Sequence, residues 1–233
     1  MPTTPEGFQI RVAQIRGDLV QQGRRVQAML EAAAEALFAR DVARARQVAT
    51  QDDAIDKTDV EIERASVALL TEACRDGANL TPDQLRAILT VVKVNNELER
   101  VADEVAGIAQ AVGTLSAFPN PLPETFRVVS NSVIGILRDV GTSYDKSDPR
   151  LAKIVLQSQD TAAAFKRAIM RDAEVRIRAG QIGPDFAFLM HEIATSFERI
   201  ADHCTNIAEQ VIYAATGAIV RHEQGHWVEV GKS

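Results

Sequence analysis

Apolar residues fall along this chain in steps of three and four, the period of an α-helix laid against a core. From about Phe8 to Arg40 they recur at Phe8, Val12, Ile15, Leu19, Val26, Leu30, Ala33 and Leu37, which predicts a first long helix. A second follows Asp41 and runs to about Arg75, where Asp76-Gly77 stops it. Thr81-Pro82 opens a third, because a Thr N-cap followed by Pro at the first helical position answers the free amides of a helix start. The run Phe118-Pro119-Asn120-Pro121-Leu122-Pro123 is the strongest break in the chain. Beyond it, Phe126, Val129, Val133, Ile136 and Val140 mark a fourth helix. Asp148-Pro149 starts a fifth, with Leu151, Val155, Ser158, Ala162, Phe165 and Ile169 on its seam, ending near Ala179-Gly180. Pro184 opens a sixth that reaches about Thr216, and the tail from Gly217 carries no clear period.

The two halves repeat each other. Asp41, Ala45, Val48 and Asp53 recur as Asp148, Ala152, Val155 and Asp160. The segment LERVADEVAGIAQ, residues 98–110, recurs as FERIADHCTNIAE, residues 197–209. Two matches in the same order predict an all-α fold of two tandem, pseudo-symmetric three-helix bundles, six helices in total. The expected division is 1–118, 119–217 and a tail of 218–233.

Composition supports helices. Aromatics are 5% of the chain, whereas alanine is about 15%, a balance that suits helix more than sandwich or barrel. With 26 Lys and Arg against 32 Asp and Glu, the net charge of −6 argues against broad binding to nucleic acid or an anionic membrane. The longest uncharged stretch, Val105 to Pro123, is interrupted by Gln110, Ser116, Asn120 and three prolines, and makes a poor membrane span. Two cysteines, Cys74 and Cys204, give no disulfide framework, and the first residues carry no secretory pattern. A cytoplasmic location is the expectation.

Carboxylates stand where a bundle margin invites apolar residues. Residues four and seven apart share a helix face, so Asp52, Asp56, Asp59 and Glu63 form one row beside the seam of Val48, Ile55, Ile62 and Leu69. Like charges in such a row repel, and a multivalent cation is the simplest remedy. Glu99 and Asp103, one turn apart, align with the apolar seam of the third helix. Glu198 and Asp202 repeat them in the sixth, with Asn206 and Glu209 extending that face and His191 on the same line. The bland alternative is a solvated acidic face, which is what an isolated pair of this spacing usually is. Recurrence in both halves, in register with the seam, favours a metal site. The candidate ligands are Asp52, Asp56, Asp59, Glu63, Glu99, Asp103, Glu198, Asp202 and Asn206. Oxygen donors of this kind suit Mg, Mn, Fe or Zn ions, divalent or trivalent. His203 is expected on the surface and Cys204 in the core. In the second half the acidic row is replaced by Gln159, Ala163, Lys166 and Met170, which makes that half the weaker site.

Enzyme signatures are missing. The chain has no phosphate-cradling glycine loop and no nucleophile elbow. Its one Glu-x-x-His match, Glu223 to His226, contains glycine and sits in the tail, where a di-iron site would need such pairs on bundle helices.

LERVADEVAGIA, FERIADHCTNIAEQVIYAATG with Val220-Arg221-His222 after it, and QDDAIDKTDVEIE together resemble the PhoU family, over about residues 8–222. The resemblance implies a cytoplasmic, non-enzymatic, homodimeric negative regulator of phosphate uptake and starvation signalling. Its implied partners are a phosphate ABC transporter ATPase and a phosphate-sensing histidine kinase, with the membrane reached only through them. It also implies metal binding through Glu/Asp-x-x-x-Asp motifs, here Glu99 with Asp103 and Glu198 with Asp202. Two other functions compete: an accessory to a secondary phosphate transporter, and a carboxylate-bundle metalloenzyme.

Overall fold

The structure, a computed structural model, describes residues 4–223 and 226–230, with side chains placed for 4–158 and 160–221. Six helical rods carry almost all of it. The first is α1 (Pro5–Ala39), capped by the Thr4 hydroxyl, which accepts from the Gly7 amide at 3.1 Å. The second rod is stepped into α2 (Val42–Ala49) and α3 (Asp52–Arg75), and α4 (Pro82–Leu115) is the third. The second half repeats the order as α5 (Thr125–Lys146), a stepped rod of α6 (Pro149–Leu156) and α7 (Gln159–Arg178), and α8 (Pro184–Thr216). An antiparallel hairpin of β1 (Ile219–Glu223) and β2 (His226–Val230) follows, in the tail for which the pattern predicts no element.

Periodicity alone predicts the two stepped rods as continuous helices, and the structure breaks both at the same place in the repeat. At the first step Gln51 N donates to Val48 O at 3.0 Å, one residue tighter than an α-helical bond. At the second, Ser158 N donates to Val155 O at 2.9 Å. Thr50 and Ser158 turn their hydroxyls onto carbonyls three and four residues back, which favours the kink. Val48 and Ile55 are buried on either side of the first step, so the seven-residue spacing survives the break and hides it.

Each half also turns its first corner the same way. Arg40 and Ser147 are the only described non-glycine residues with positive φ, at 54° and 51°. Asp41 and Asp148 then cap the next helix, accepting from Arg44 N at 3.0 Å and Arg150 N at 2.9 Å. The Arg40 guanidinium reaches forward to the carbonyls of Phe118 and Asn120 and so pins the proline-rich linker. At the start of α4 the expected cap is a full box: Thr81 accepts from Gln84 N at 3.3 Å and the Gln84 side chain accepts from Thr81 N at 2.9 Å.

Packing follows the repeat. α4 and α8 lie against each other at the centre, and α1 against α5. α3 packs mainly on α1 and α4, and α7 mainly on α5 and α8, so these two are the outer rods. The apolar residues form one continuous core through both halves, from Phe8, Leu19 and Leu30 to Phe126, Phe186 and Phe197. A buried glutamine, Gln22, donates to Ile55 O at 2.8 Å and ties α1 to the first turn of α3, just behind the acidic row. The middle of the tail's Glu-x-x-His match, Gln224-Gly225, lies outside the described residues, as do the side chains of His226 and Trp227.

Candidate functional site

The α3 face that carries Ile55, Ile62, Ser66 and Leu69 is buried, as the seam predicts, and the acidic row runs along its edge toward α4. Asp52 and Asp59 are half-buried there, while Asp56 and Glu63 stand further out. Glu99 and Asp103 approach from α4. Burial lifts Asp52 above its ordinary pKa, and Asp56 and Asp103 add to the effect. Glu99 is raised by burial and then by Asp103, Asp59 and Asp56, and Asp103 by burial and Asp56. Asp59 is raised by burial, Glu63 and Asp56, against a hydrogen bond from Asn95 Nδ2 at 2.6 Å. These six carboxylates therefore act on one another across two helices.

A cation would find oxygen donors here and little else. One oxygen of Asp52 is buried without a hydrogen-bond partner, a deficit that a bound ion would relieve. As the side chains stand, no three His, Cys, Asp or Glu groups among the described residues converge at coordination distance. Asp56, Glu63 and Asp103 are exposed, whereas Asp52, Asp59 and Glu99 are half-buried. In donor chemistry the α3–α4 set fits a hard or borderline cation.

The second half does not repeat this arrangement. Glu198 is held by Lys166, whose Nζ lies 2.5 Å from its Oε2. Asn206 instead turns to α4 and donates to Glu97 Oε2 at 3.0 Å. Asp202 lies between them in a charged groove with Arg100, Asp103, Glu104, Arg199 and His203. Residues that share a face in the sequence thus meet different helices, because α8 is a central rod with neighbours on several sides. For the same reason His203, expected on the surface, is largely covered and sits 2.8 Å from Glu97. His191 is exposed, with its Nδ1 3.2 Å from Met170 Sδ. Cys204 is fully buried, as expected, and burial raises its thiol pKa. Glu209 is buried and meets Arg221 rather than a carboxylate.

Glu97 is the residue that pattern reading misses. Burial alone would raise its pKa, but hydrogen bonds from His203 and Asn206, with the attraction of His203 and Arg100, hold it below its usual value. Nothing local in Asn95-Asn96-Glu97 announces this, since both partners come from the other half of the chain.

Comparison with known proteins decides the family. The PhoU domain matches this chain twice, over residues 19–112 and 126–211. The chain belongs to the PhoU family. Among its PhoU relatives, the phosphate-specific transport system accessory protein PhoU homolog 1 of Thermotoga maritima is 28% identical over 212 residues, covering 90% of this chain and 89% of its own. A PhoU homolog of Zymomonas mobilis with the same accessory role in its name is 28% identical over 218 residues, covering 92% and 89%. The crystal structure of PhoU from Pseudomonas aeruginosa superposes with a TM-score of 0.83 at 25% identity, over 90% of this chain and 99% of that one. PhoU of Streptococcus pneumoniae, the phosphate transport system regulatory protein, gives the same TM-score at 23% identity, over 92% and 100%, and speaks for the fold. Like the two-bundle reading, the PhoU assignment holds over both halves. Among the described residues no helix is long and apolar enough to cross a membrane.

Proposed function

We propose that this chain is an accessory regulator of phosphate-specific transport, which restrains phosphate uptake and the phosphate-starvation response through protein contacts in the cytoplasm. The observation that carries the reading is the double PhoU match, one copy in each bundle. The transporter ATPase and a phosphate-sensing histidine kinase are the partners this reading names, with the chain acting as a homodimer and without catalysis. Deleting the gene is expected to raise phosphate uptake and to leave a starvation reporter on in phosphate-rich medium. Unchanged uptake and signalling would overturn it.

The acidic face of α3 and α4 adds a ligand to this reading. Asp52, Asp56, Asp59, Glu63, Glu99 and Asp103 would hold a metal ion, such as Fe, Zn, Mg or Mn, by charge and oxygen donors. The ion would bridge the outer rod α3 to the central rod α4, and its effect would be structural. What supports this is the mutual repulsion of six carboxylates together with the unpartnered buried oxygen of Asp52. Metal content measured by mass spectrometry on untagged protein tests it: Glu99→Ala/Asp103→Ala should lose the metal, whereas Glu198→Ala/Asp202→Ala should keep it. A parent protein that takes up no metal would end this part of the reading.

A further inference from the structure

The two halves carry the same helices and opposite solutions to one electrostatic problem. In the repeat, Lys166 of α7 stands where Asp59 stands in α3, and Glu198 of α8 where Glu99 stands in α4. Asp59 and Glu99 are both carboxylates, half-buried, and each lies in the field of acidic neighbours. Lys166 and Glu198 are joined at 2.5 Å, with only 22% and 23% of their side chains exposed. The rest of the row is altered in the same sense. Ala163 replaces Asp56 and Met170 replaces Glu63, and the Met170 thioether lies against the His191 imidazole instead of a carboxylate.

We propose that Lys166 is the residue that excludes metal from the second bundle, its ammonium standing as a built-in monovalent cation where the first bundle requires an external one. The ammonium beside Glu198 satisfies that carboxylate and repels a multivalent ion from it. The largely covered setting makes the pair more than a surface ornament, because an exposed ion pair would contribute almost nothing. Lysine is also the suitable cation: a compact ammonium on a flexible stem can replace an ion at a point, which a planar guanidinium cannot. The α7–α8 pair is thereby complete from synthesis, whereas the α3–α4 pair waits for its ligand. This inference rests on the metal reading of the first bundle only for that contrast.

Amide hydrogen exchange of the full-length protein tests it, with Mn²⁺ alone as the probe and a chelator as the reference. In the parent, α7 should exchange at the same rate with and without Mn²⁺. Lys166→Met, which keeps the stem and removes the charge, should speed exchange in α7 by about threefold or more without metal. Lys166→Asp should do the same and should make α7 respond to Mn²⁺. Slowing of α7 by Mn²⁺ in the parent would overturn the proposal, and so would a Lys166→Met protein with unchanged α7 exchange. An α3 that ignores Mn²⁺ in the parent would instead count against the metal reading of the first bundle, leaving the Lys166→Met result to decide this one. Should Lys166→Asp fail to fold, Lys166→Met and Glu198→Gln, each expected to loosen α7, carry the test.

Discussion

His203 Nδ1 lies 2.8 Å from Glu97 Oε2, and this contact crosses from the second bundle to the first. It joins α8 to α4, the two rods at the centre, and Asn206 Nδ2 completes it at 3.0 Å. A covered carboxylate with two donors on one oxygen is a costly group to disturb, because removing the donors leaves a buried charge.

The Glu97 link makes a prediction about acid stability. Its folded pKa lies below its unfolded one, so the stabilisation it gives is present above the unfolded value and is lost as pH falls through the folded value. Glu97→Gln should lower stability by about 1–3 kcal/mol at pH 7 and flatten the acid limb of the stability curve. Urea melts from about pH 3 to pH 7 measure both. A parallel acid limb in parent and variant would refute the assignment.

The acidic face of α3 and α4 predicts the opposite slope. Asp52, Asp59, Glu99 and Asp103 are all raised on folding, so the native state binds protons at a pH where the unfolded chain has released them. Their contribution is favourable at low pH and is lost as pH rises above the ordinary carboxylate range. Metal-free protein carrying Asp59→Asn or Glu99→Gln should therefore be at least as stable as the parent at pH 7, by a few tenths to about 1 kcal/mol. Thermal melts in chelator check the sign, and a clear loss of stability would contradict it.

Arg40 is predicted to act as a clamp on the linker. Its guanidinium is the donor to both Phe118 O and Asn120 O, while its backbone holds φ at 54°. Arg40→Gly would relieve the backbone and lose the clamp; Arg40→Lys would keep charge but not the fork. Both should destabilise, Arg40→Lys by about 1 kcal/mol, and limited proteolysis should cut first near residues 118–123. Unaltered resistance of that segment would show that the linker needs no clamp.

Gly135 sits in the middle of α5 with open space where a Cβ would go. Gly135→Ala is expected to stabilise by about 0.5–1 kcal/mol through the unfolded chain, read as a raised midpoint in urea. Destabilisation would mean that an α5 neighbour uses this gap.

Much of this molecule was legible before folding. The rods showed themselves because each has a breaker or cap at its ends: Thr81-Pro82 at α4, Asp148-Pro149 at α6, Pro184 at α8. The α3 row was legible because α3 is an outer rod with one buried face, so a single seam orients every side chain. The same rule failed for α8. Packed on several helices, it buries more than one face, and seam arithmetic sent His203 to solvent and put Asn206 beside Glu198. The steps at Thr50 and Ser158 escaped because they leave the apolar period intact. Glu97 escaped because its partners are 106 and 109 residues away.

The outer rods differ in one more respect. α3 holds seven acids and three bases, whereas α7 holds three acids and five bases. They occupy equivalent positions on either side of the α4–α8 centre, so the repeat that keeps the order of the helices does not keep their charge. Such a body carries an uneven charge from one outer rod to the other, and in the field of a charged partner it turns to a preferred heading before contact. Duplication supplied two interchangeable ends; the divergence of a few side chains gave the molecule a front and a back.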